Sequence, residues 1–152
     1  MARIGTLLLV LLLLGGCGPR EPLRIGFIGG LSGRVADLGE AGRNGVQIAI
    51  EEINRAGGVK GRQIELLVRD DAQTPEKAIA AVNELIAARV EAIIGPMTSA
   101  MAEVVLPLAQ RAGVALVSPT VTAHNFFGID DVLFLIMSST RVEAESSAEY
   151  HF

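Results

Sequence analysis

Two short segments of this 152-residue chain carry hydroxyl side chains and no formal charge, and the first of them leads into a predicted helix whose first N–H groups are free. One segment is Pro96–Ala100, which includes Ser99, and the other is Ser118–Thr122, which includes Thr120 and Thr122. Hydroxyls and the N–H groups at a helix N-terminus can together hold a small carboxylate without any lysine or arginine. Each segment alone is more often a cap or a turn, so this chemistry depends on the fold bringing the two together.

The residues that common enzymatic chemistry needs do not have the required spacing. The glycines from Gly26 to Gly33 do not form the dinucleotide pattern G-x-G-x-x-G, and no glycine-lysine-serine segment could cradle a nucleotide phosphate. His124 and His151 are the two histidines, and neither has other ligand types at metal-binding spacing. Ser99 and Ser118 lack the G-x-S-x-G context of a hydrolase nucleophile. We therefore expect no catalysis, no cofactor and no metal site.

An acidic pair and a loop histidine are the remaining candidates. Asp70 and Asp71 could bind magnesium, as in receiver domains, but such a pocket needs acids after the first and third strands. The third predicted strand ends at Gly95-Pro96 instead. We expect the acidic pair to shape its loop and keep it hydrated. His124 lies in a candidate binding loop, where a single solvated histidine is more often incidental.

The elements that must position these loops alternate between short apolar runs and amphipathic segments. The pattern predicts strands at Leu23–Gly29, Gln63–Val68, Ala92–Gly95, Val114–Val117 and Val132–Met137. It predicts a first helix from about Gly39 to Gly57-Gly58 and a second that starts at the cap Thr74 with Pro75. A third helix is predicted from Ser99 to Ala112-Gly113, with a kink or break at Pro107. A fourth is predicted to start at a capping box of Thr140 and Glu143. This rhythm is typical of an α/β fold: a mostly parallel, doubly wound sheet with helices on both faces. Ligands bind beyond the carboxyl ends of such strands, which is where both hydroxyl segments fall.

The first residues predict export. Arg3 precedes an apolar run from Leu7 to Leu14, which is far shorter than the roughly 20 residues of a membrane-spanning helix. Residues 1–16 are therefore predicted to be a signal peptide. Leu14-Gly15-Gly16-Cys17 resembles the bacterial lipobox, which implies that Cys17 is lipidated and that residues 17–22 form a stalk at the membrane. The alternative is a simple signal cleavage with Cys17 as a bystander.

Composition excludes some partners. The chain has a net charge of −4 and only 4% aromatic residues, whereas a nucleic-acid partner requires a basic surface. No apolar stretch after the leader is long enough to span a membrane. We expect no nucleic-acid partner and a single compact body after the stalk.

From Leu23 to Tyr150, the chain resembles the first lobe of the periplasmic leucine/isoleucine/valine-binding proteins, which have the type I periplasmic-binding fold. The matching segments are Ile25–Gly33, Asn44–Asn54, Gly57–Gly61, Asp70–Ala72, Ile93–Pro96 and Val117–Pro119. The resemblance implies a two-lobed binding protein that delivers a small solute to the permease of an ABC importer.

The resemblance also implies roles for individual residues. Ser99 matches a serine that takes the solute carboxylate, and Thr122 matches a threonine that contacts both the carboxylate and the amino group. Thr120 matches a position whose backbone carbonyl takes the ammonium. Leu38 stands where branched-chain binders often place an aromatic residue, which leaves other amino acids, amides or small carboxylates open as ligands.

Members of that family are more than twice as long as this chain. We expect residues 23–139 to be the first lobe and residues 140–152 to begin the crossover into a missing second lobe, as in a truncated fragment. The alternative is a lipid-anchored α/β interaction or sensory module without a transport role.

Overall fold

Five strands pair in parallel into one sheet in the computed structural model, which describes residues 20–151. The strands are β1 (Leu23–Gly29), β2 (Ile64–Asp70), β3 (Ala92–Ile94), β4 (Ala115–Ser118) and β5 (Leu133–Leu135). Their order across the sheet is β2-β1-β3-β4-β5. The chain thus moves from β1 to one side of the sheet and then crosses to the other side of β1. Loops after β1 and β3 flank the point where the strand order reverses, which is where α/β sheets bind ligands.

Four helices connect or follow the strands. They are α1 (Ala36–Arg55), α2 (Pro75–Ala87), α3 (Ser99–Ala112) and α4 (Thr140–His151). Short 3-10 turns lie at Gly33–Val35 and His124–Phe126. Helix α3 ends where it does because Gly113 adopts the left-handed conformation (φ 66°), which glycine takes without steric penalty.

The main core lies between the sheet and the pair α2 and α3. Ile28, Ile93 and Leu116 point from three neighbouring strands to this face and are fully buried. Leu85 of α2 and Val105 of α3 meet them, also without exposed surface. Burying side chains of this size stabilises the fold by about 1.5–3 kcal/mol each, so this layer fixes the strands whose ends carry the two hydroxyl segments.

The opposite face carries α1, which packs over β1 and β2. Beside this helix lies an apolar groove of about 630 Å³ that reaches across β3 and β4 to the residue after β5. Ile94, Val117 and Ile136 line its sheet side, and Val46 and Ala49 line its helix side. Within residues 20–151, no helix therefore covers this part of the sheet.

The predicted architecture is confirmed, with shifts at the element boundaries. The sheet is parallel, with helices on both faces. The first helix begins at Ala36 rather than near Gly39, and β2 continues to Asp70. The predicted break at Pro107 does not occur, since α3 is one helix from Ser99 to Ala112; the alternative, a kink at Pro107, stays a prediction.

Two predicted caps are wrong in detail. Thr74 precedes α2 but its hydroxyl makes no capping hydrogen bond. At α4, the Ser139 hydroxyl accepts from the Val142 N–H, whereas the Thr140 hydroxyl donates to the Thr122 carbonyl. Ser139 rather than the predicted Thr140 therefore caps α4, and the Glu143 carboxylate accepts from the Ser138 hydroxyl at 2.9 Å instead of completing a capping box.

The predicted signal peptide, the lipidation site Cys17 and most of the stalk lie outside the described residues. Within residues 20–151, none of the helices is both long and apolar enough to cross a membrane.

Candidate functional site

The two hydroxyl segments meet at the carboxyl edge of the sheet. The chain leaves β3 through a cis Gly95–Pro96 bond and enters α3, and the segment after β4 runs beside it. The Ser118 hydroxyl donates to the Pro96 carbonyl at 2.7 Å, and the Thr120 hydroxyl donates to the Met97 carbonyl at 2.7 Å. We call Pro96–Ala100 and Ser118–Ala123, which extends the second hydroxyl segment by one residue, the rim.

Ser99 is the first residue of α3 and links the two halves of the rim. Its hydroxyl oxygen accepts a hydrogen bond of 3.3 Å from the Ala123 N–H. Since this bond uses only a lone pair, the Ser99 hydroxyl proton remains available to donate. The first helical hydrogen bond runs from the Ala102 N–H to the Thr98 carbonyl. The N–H groups of Ser99 and the next two residues therefore have no acceptor within the helix. The rim thus offers several neutral donors at one helix end.

The two threonines of the rim segment after β4 are not equivalent. The Thr120 hydroxyl has donated its only proton to Met97, so its oxygen can only accept a further hydrogen bond. The Thr122 carbonyl accepts from the N–H and the hydroxyl of Thr140, at 3.0 and 3.3 Å. Within the described part of the chain, the Thr122 hydroxyl makes no hydrogen bond, and the residue is half-buried. Of these two hydroxyls, that of Thr122 is the one left able to donate.

Ser118 differs from the exposed hydroxyl that the sequence suggested. It is fully buried. Besides donating to Pro96, its oxygen accepts from the Val121 N–H at 3.2 Å and from the Thr120 N–H at 3.5 Å. Ser118 therefore shapes the rim from below and does not present its hydroxyl to a ligand.

Leu38 lies in the first turn of α1, near the same edge of the sheet. The helix approaches the residue after β1 so closely there that a Cβ on Gly39 would collide with the Gly30 carbonyl oxygen. The Leu38 side chain is 39% exposed. Its predicted contact with a solute stays a prediction.

Asp70 organises the loop after β1. Its carboxylate accepts from the Leu31 N–H, the Ser32 hydroxyl and the Ala72 N–H, at 2.7 to 2.8 Å. Burial pushes the pKa of Asp70 upward, but these hydrogen bonds, together with the charge of Lys77, outweigh it and leave the pKa below its ordinary value. Asp70 is thus an ionised anchor for the loop that leads to α1.

Asp71 is not hydrated, contrary to the prediction for the acidic pair. It is fully buried, and one carboxylate oxygen accepts from the backbone N–H and the side-chain amide of Gln73, each at 2.8 Å. The other oxygen is buried with no hydrogen-bond partner. Burial raises the pKa of Asp71 despite the two bonds from Gln73, and the charge of Asp70 adds to this effect.

Metal binding finds no support at the acidic pair or elsewhere in residues 20–151. Across those residues, no group of three or more histidine, cysteine, aspartate or glutamate side chains is arranged to hold an ion. The His124 side chain is exposed in the 3-10 turn beyond the rim. It stays a solvent-facing loop residue.

A contact between Thr98 and Gln73, which joins the rim to the loop after β2, could not be foreseen from sequence patterns. The Thr98 hydroxyl donates to the Gln73 side-chain carbonyl at 2.9 Å. Gln73 lies 25 positions earlier in the chain, and glutamine after an acidic pair has no distinctive pattern. Only the parallel pairing that aligns the strand ends could have suggested this contact.

Comparison with known proteins gives the family of this chain. Residues 22–151 match the family described as periplasmic binding protein. The chain belongs to this family. It is 35% identical over 130 residues to the Leu/Ile/Val-binding protein BraC3 of Rhizobium johnstonii, an alignment that covers 84% of the chain and 35% of the relative.

Solved structures of family members have the same fold. The branched-chain amino acid transporter substrate binding protein LivJ from Streptococcus pneumoniae, in complex with isoleucine, superposes with a TM-score of 0.75 at 34% identity, over 78% of this chain and 34% of that one. An ABC transporter substrate-binding protein from Desulfitobacterium hafniense, in complex with Leu, has a TM-score of 0.76 at 27% identity, over 86% and 38%. The chain of this family member spans about a third of the length of the relatives it matches.

Proposed function

We propose that this family member forms one wall of the solute-binding cleft of an extracytoplasmic binding protein that serves an ABC importer. The observation that carries the proposal is the bond between Ser99 and Ala123, which joins two donor-bearing segments at the carboxyl edge of the sheet. Membership of the periplasmic binding protein family supports the same function. The partner would be the permease of the importer.

The proposed solute is an amino acid or a similar small carboxylate or amide. A carboxylate at the rim would accept hydrogen bonds from the hydroxyls of Ser99 and Thr122 and from the free N–H groups of α3, with the helix dipole behind them. The Thr120 carbonyl would accept from an ammonium group. Leu38 supplies aliphatic rather than aromatic surface, so the proposal is not restricted to leucine, isoleucine or valine. None of these groups is a general base, and the proposed role is binding without catalysis or a cofactor.

A second lobe is needed for tight binding. The relatives extend well beyond the part that this chain matches, and we propose that the unmatched part of such proteins supplies the facing wall. One wall alone leaves the solute exposed to water, whereas ligand pockets usually bury most of their ligand. The chain by itself should therefore bind in the millimolar range or weaker.

The anchor is part of the proposal. Cys17 would carry the lipid after removal of residues 1–16, and residues 17–22 would hold the first lobe, residues 23–139, away from the membrane. Expression of the chain and of Cys17→Ser in a bacterium, followed by mass spectrometry of the intact proteins, tests this. An acylated wild type and an unacylated variant are expected, and equal unmodified masses would refute the anchor.

Amide NMR of the isotope-labelled chain tests solute binding directly. L-leucine, L-alanine, glutamine and acetate, each added at up to tens of millimolar, should shift the amide signals of residues 98–101 and 120–123 and few others. The matched control is Ser99→Ala, which removes one donor together with the bond to Ala123 and no other side-chain hydrogen bond of the rim. It should weaken binding by the roughly 1.5–3 kcal/mol of a hydrogen bond to a charged group.

Two outcomes would contradict the proposal. Shifts that cluster in the apolar groove beside α1 would place binding on the wrong face of the sheet. Rim shifts that Ser99→Ala leaves unchanged would remove Ser99 from the site.

A further inference from the structure

The loop after β2 has an unusual backbone. Ala72 and Gln73 are consecutive and both have positive φ angles, 43° and 54°, although neither is glycine. Such residues are uncommon and persist where surrounding contacts fix them. Here each N–H is held by the side chain two positions earlier: Ala72 by Asp70 and Gln73 by Asp71, both at 2.8 Å. The acidic pair therefore imposes this conformation.

The conformation delivers the Gln73 side chain to the rim. Its amide group lies over Gly30, where an added Cβ would come within 3.1 Å of the amide nitrogen. It is bounded on one side by Asp71 and on the other by Thr98, at 2.8 and 2.9 Å. A single side chain thus bridges the end of β2 and the start of α3.

Chemistry fixes the direction of every bond in this bridge. The Asp71 oxygen that faces Gln73 already accepts the Gln73 backbone N–H, so the amide must turn its NH₂ group toward that oxygen. The amide oxygen then faces Thr98 and can only accept, which makes the Thr98 hydroxyl the donor. Thr98 stands at the N-cap position of α3, and its side chain makes no capping hydrogen bond there.

The series of hydrogen bonds from Asp71 through Gln73 to Thr98 ends one residue before Ser99. Thr98 also supplies the carbonyl that receives the first helical hydrogen bond of α3. Any movement of Thr98 therefore moves the helix start and the Ser99 hydroxyl that meets Ala123. This geometry connects the fully buried Asp71 to the position of Ser99 in the candidate site.

We propose that Asp71 and Gln73 are positioning residues of the rim, which tether Thr98 to the end of β2 and so hold Ser99 in place. The consequence for solute binding rests on the proposed function, whereas the tether itself does not. Neither residue contacts the solute in this proposal. They act through Thr98.

A triple-mutant cycle on the complete chain tests the tether without any solute. Asp71→Leu and Thr98→Val, singly and together, are compared by urea unfolding, first in the wild type and then with Gln73→Met. Asp71 and Thr98 should be coupled by about threefold to tenfold in the unfolding equilibrium constant, and Gln73→Met should abolish the coupling. Independent effects in the wild-type background would overturn the tether.

Rescue by a conservative variant covers the case in which Asp71→Leu does not fold. Thr98→Ser keeps the hydroxyl and should leave amide exchange at Ala123 unchanged, whereas Thr98→Val should speed it. Equal exchange in the two variants would overturn the proposal.

The solute arm uses L-leucine as the probe, with amide NMR as the readout. If the wild type binds, Gln73→Met should weaken binding about threefold to tenfold, because Ser99 is no longer held. Binding that is unchanged in Gln73→Met would show a tether without a positioning role and overturn that part. Absence of binding by the wild type would count against the proposed function, and the mutant cycle would then support or overturn the tether by itself.

Discussion

The Ser99 hydroxyl oxygen lies 3.3 Å from the Ala123 backbone nitrogen and accepts its hydrogen bond. This contact crosses from the start of α3 to the segment after β4, which are 24 positions apart in the chain. It leaves the hydroxyl proton of Ser99 free to point away from the protein. A single serine therefore joins the two halves of the rim and still offers a donor.

Ser99→Ala should loosen the rim more than it destabilises the fold. The lost bond is long and half-exposed, so the free energy of unfolding should fall by about 0.5–1 kcal/mol. Hydrogen exchange at the Ala123 amide should nevertheless accelerate, because that N–H loses its acceptor. Ser99→Thr retains the hydroxyl and is the matched control. Exchange that is equally slow in Ser99→Ala would mean that the contact does not hold the segment.

Ser118 and Ser32 allow the contribution of a buried hydroxyl to stability to be compared with that of an exposed one. The Ser118 hydroxyl is fully buried with three partners, whereas the exposed Ser32 hydroxyl donates to Asp70 at 2.7 Å. Ser118→Ala should lower the free energy of unfolding by about 1–3 kcal/mol, because it leaves the Pro96 carbonyl and the Val121 N–H without their partner. Ser32→Ala should change it by less than about 1 kcal/mol. Urea unfolding of both variants measures the difference, and equal effects would contradict the buried role of Ser118.

Two glycines of α1 should respond in opposite directions to alanine. A Cβ on Gly39 would collide with the Gly30 carbonyl oxygen, while a Cβ on Gly45 would meet nothing within 4 Å. Gly45→Ala should raise the free energy of unfolding by about 0.5–1 kcal/mol through helix propensity. Gly39→Ala gains the same propensity but must push α1 away from Gly30, with a net loss of about 1–3 kcal/mol. Thermal and urea unfolding test this, and a stabilised Gly39→Ala would show that α1 does not pack against β1 as described.

Much of this architecture could be predicted because it follows from local patterns. Short apolar runs such as Leu23–Gly29 predict buried parallel strands, and Gly113 marks a helix end whatever lies around it. The alternation of such runs with helices then places the segments after β3 and β4 at one edge. No side-chain contact had to be known for that placement.

The details of the rim could not be predicted, because they depend on partners distant in sequence. Ser118 looks like a ligand-facing hydroxyl, but the Pro96 carbonyl draws it inward. Asp71 looks like a hydrated loop acid until Gln73 and the end of β1 enclose it. In each case the outcome depends on which neighbour forms a hydrogen bond with the polar side chain, and tertiary packing determines that neighbour.

The two neighbouring aspartates should give stability opposite pH dependences. The folded-state pKa of Asp71 is raised, so its contribution to stability is present below the unfolded value of about 3.9 and is lost as the pH rises through the folded value. The folded-state pKa of Asp70 is lowered, so its contribution is present above about 3.9 and is lost as the pH falls through the folded value.

Asp71→Asn keeps an acceptor for Gln73 and removes the charge. Its free energy of unfolding, relative to the wild type, should rise as the pH increases from 4 and then level off, as measured by urea unfolding at several pH values up to 8. Asp70→Asn is the control of opposite sign: it should be less stable than the wild type at pH 7 and approach it in acid. Parallel curves for Asp71→Asn and the wild type would contradict the burial of this carboxyl.

The apolar groove beside α1 should be open to small apolar probes in the isolated chain. Its lining is almost entirely aliphatic, with Ile94 and Val117 on the sheet and the exposed Ala49 at its mouth. An exposed apolar surface of this kind is expected to bind a dye such as anilinonaphthalene sulfonate. Ala49→Glu places a carboxylate that repels the anionic dye at the mouth of the groove and should lower the fluorescence, with unfolding near that of the wild type. Ala80→Glu, at an exposed position on α2, adds the same charge elsewhere and should leave the fluorescence unchanged, so a similar loss in both variants would assign the signal to net charge rather than to the groove.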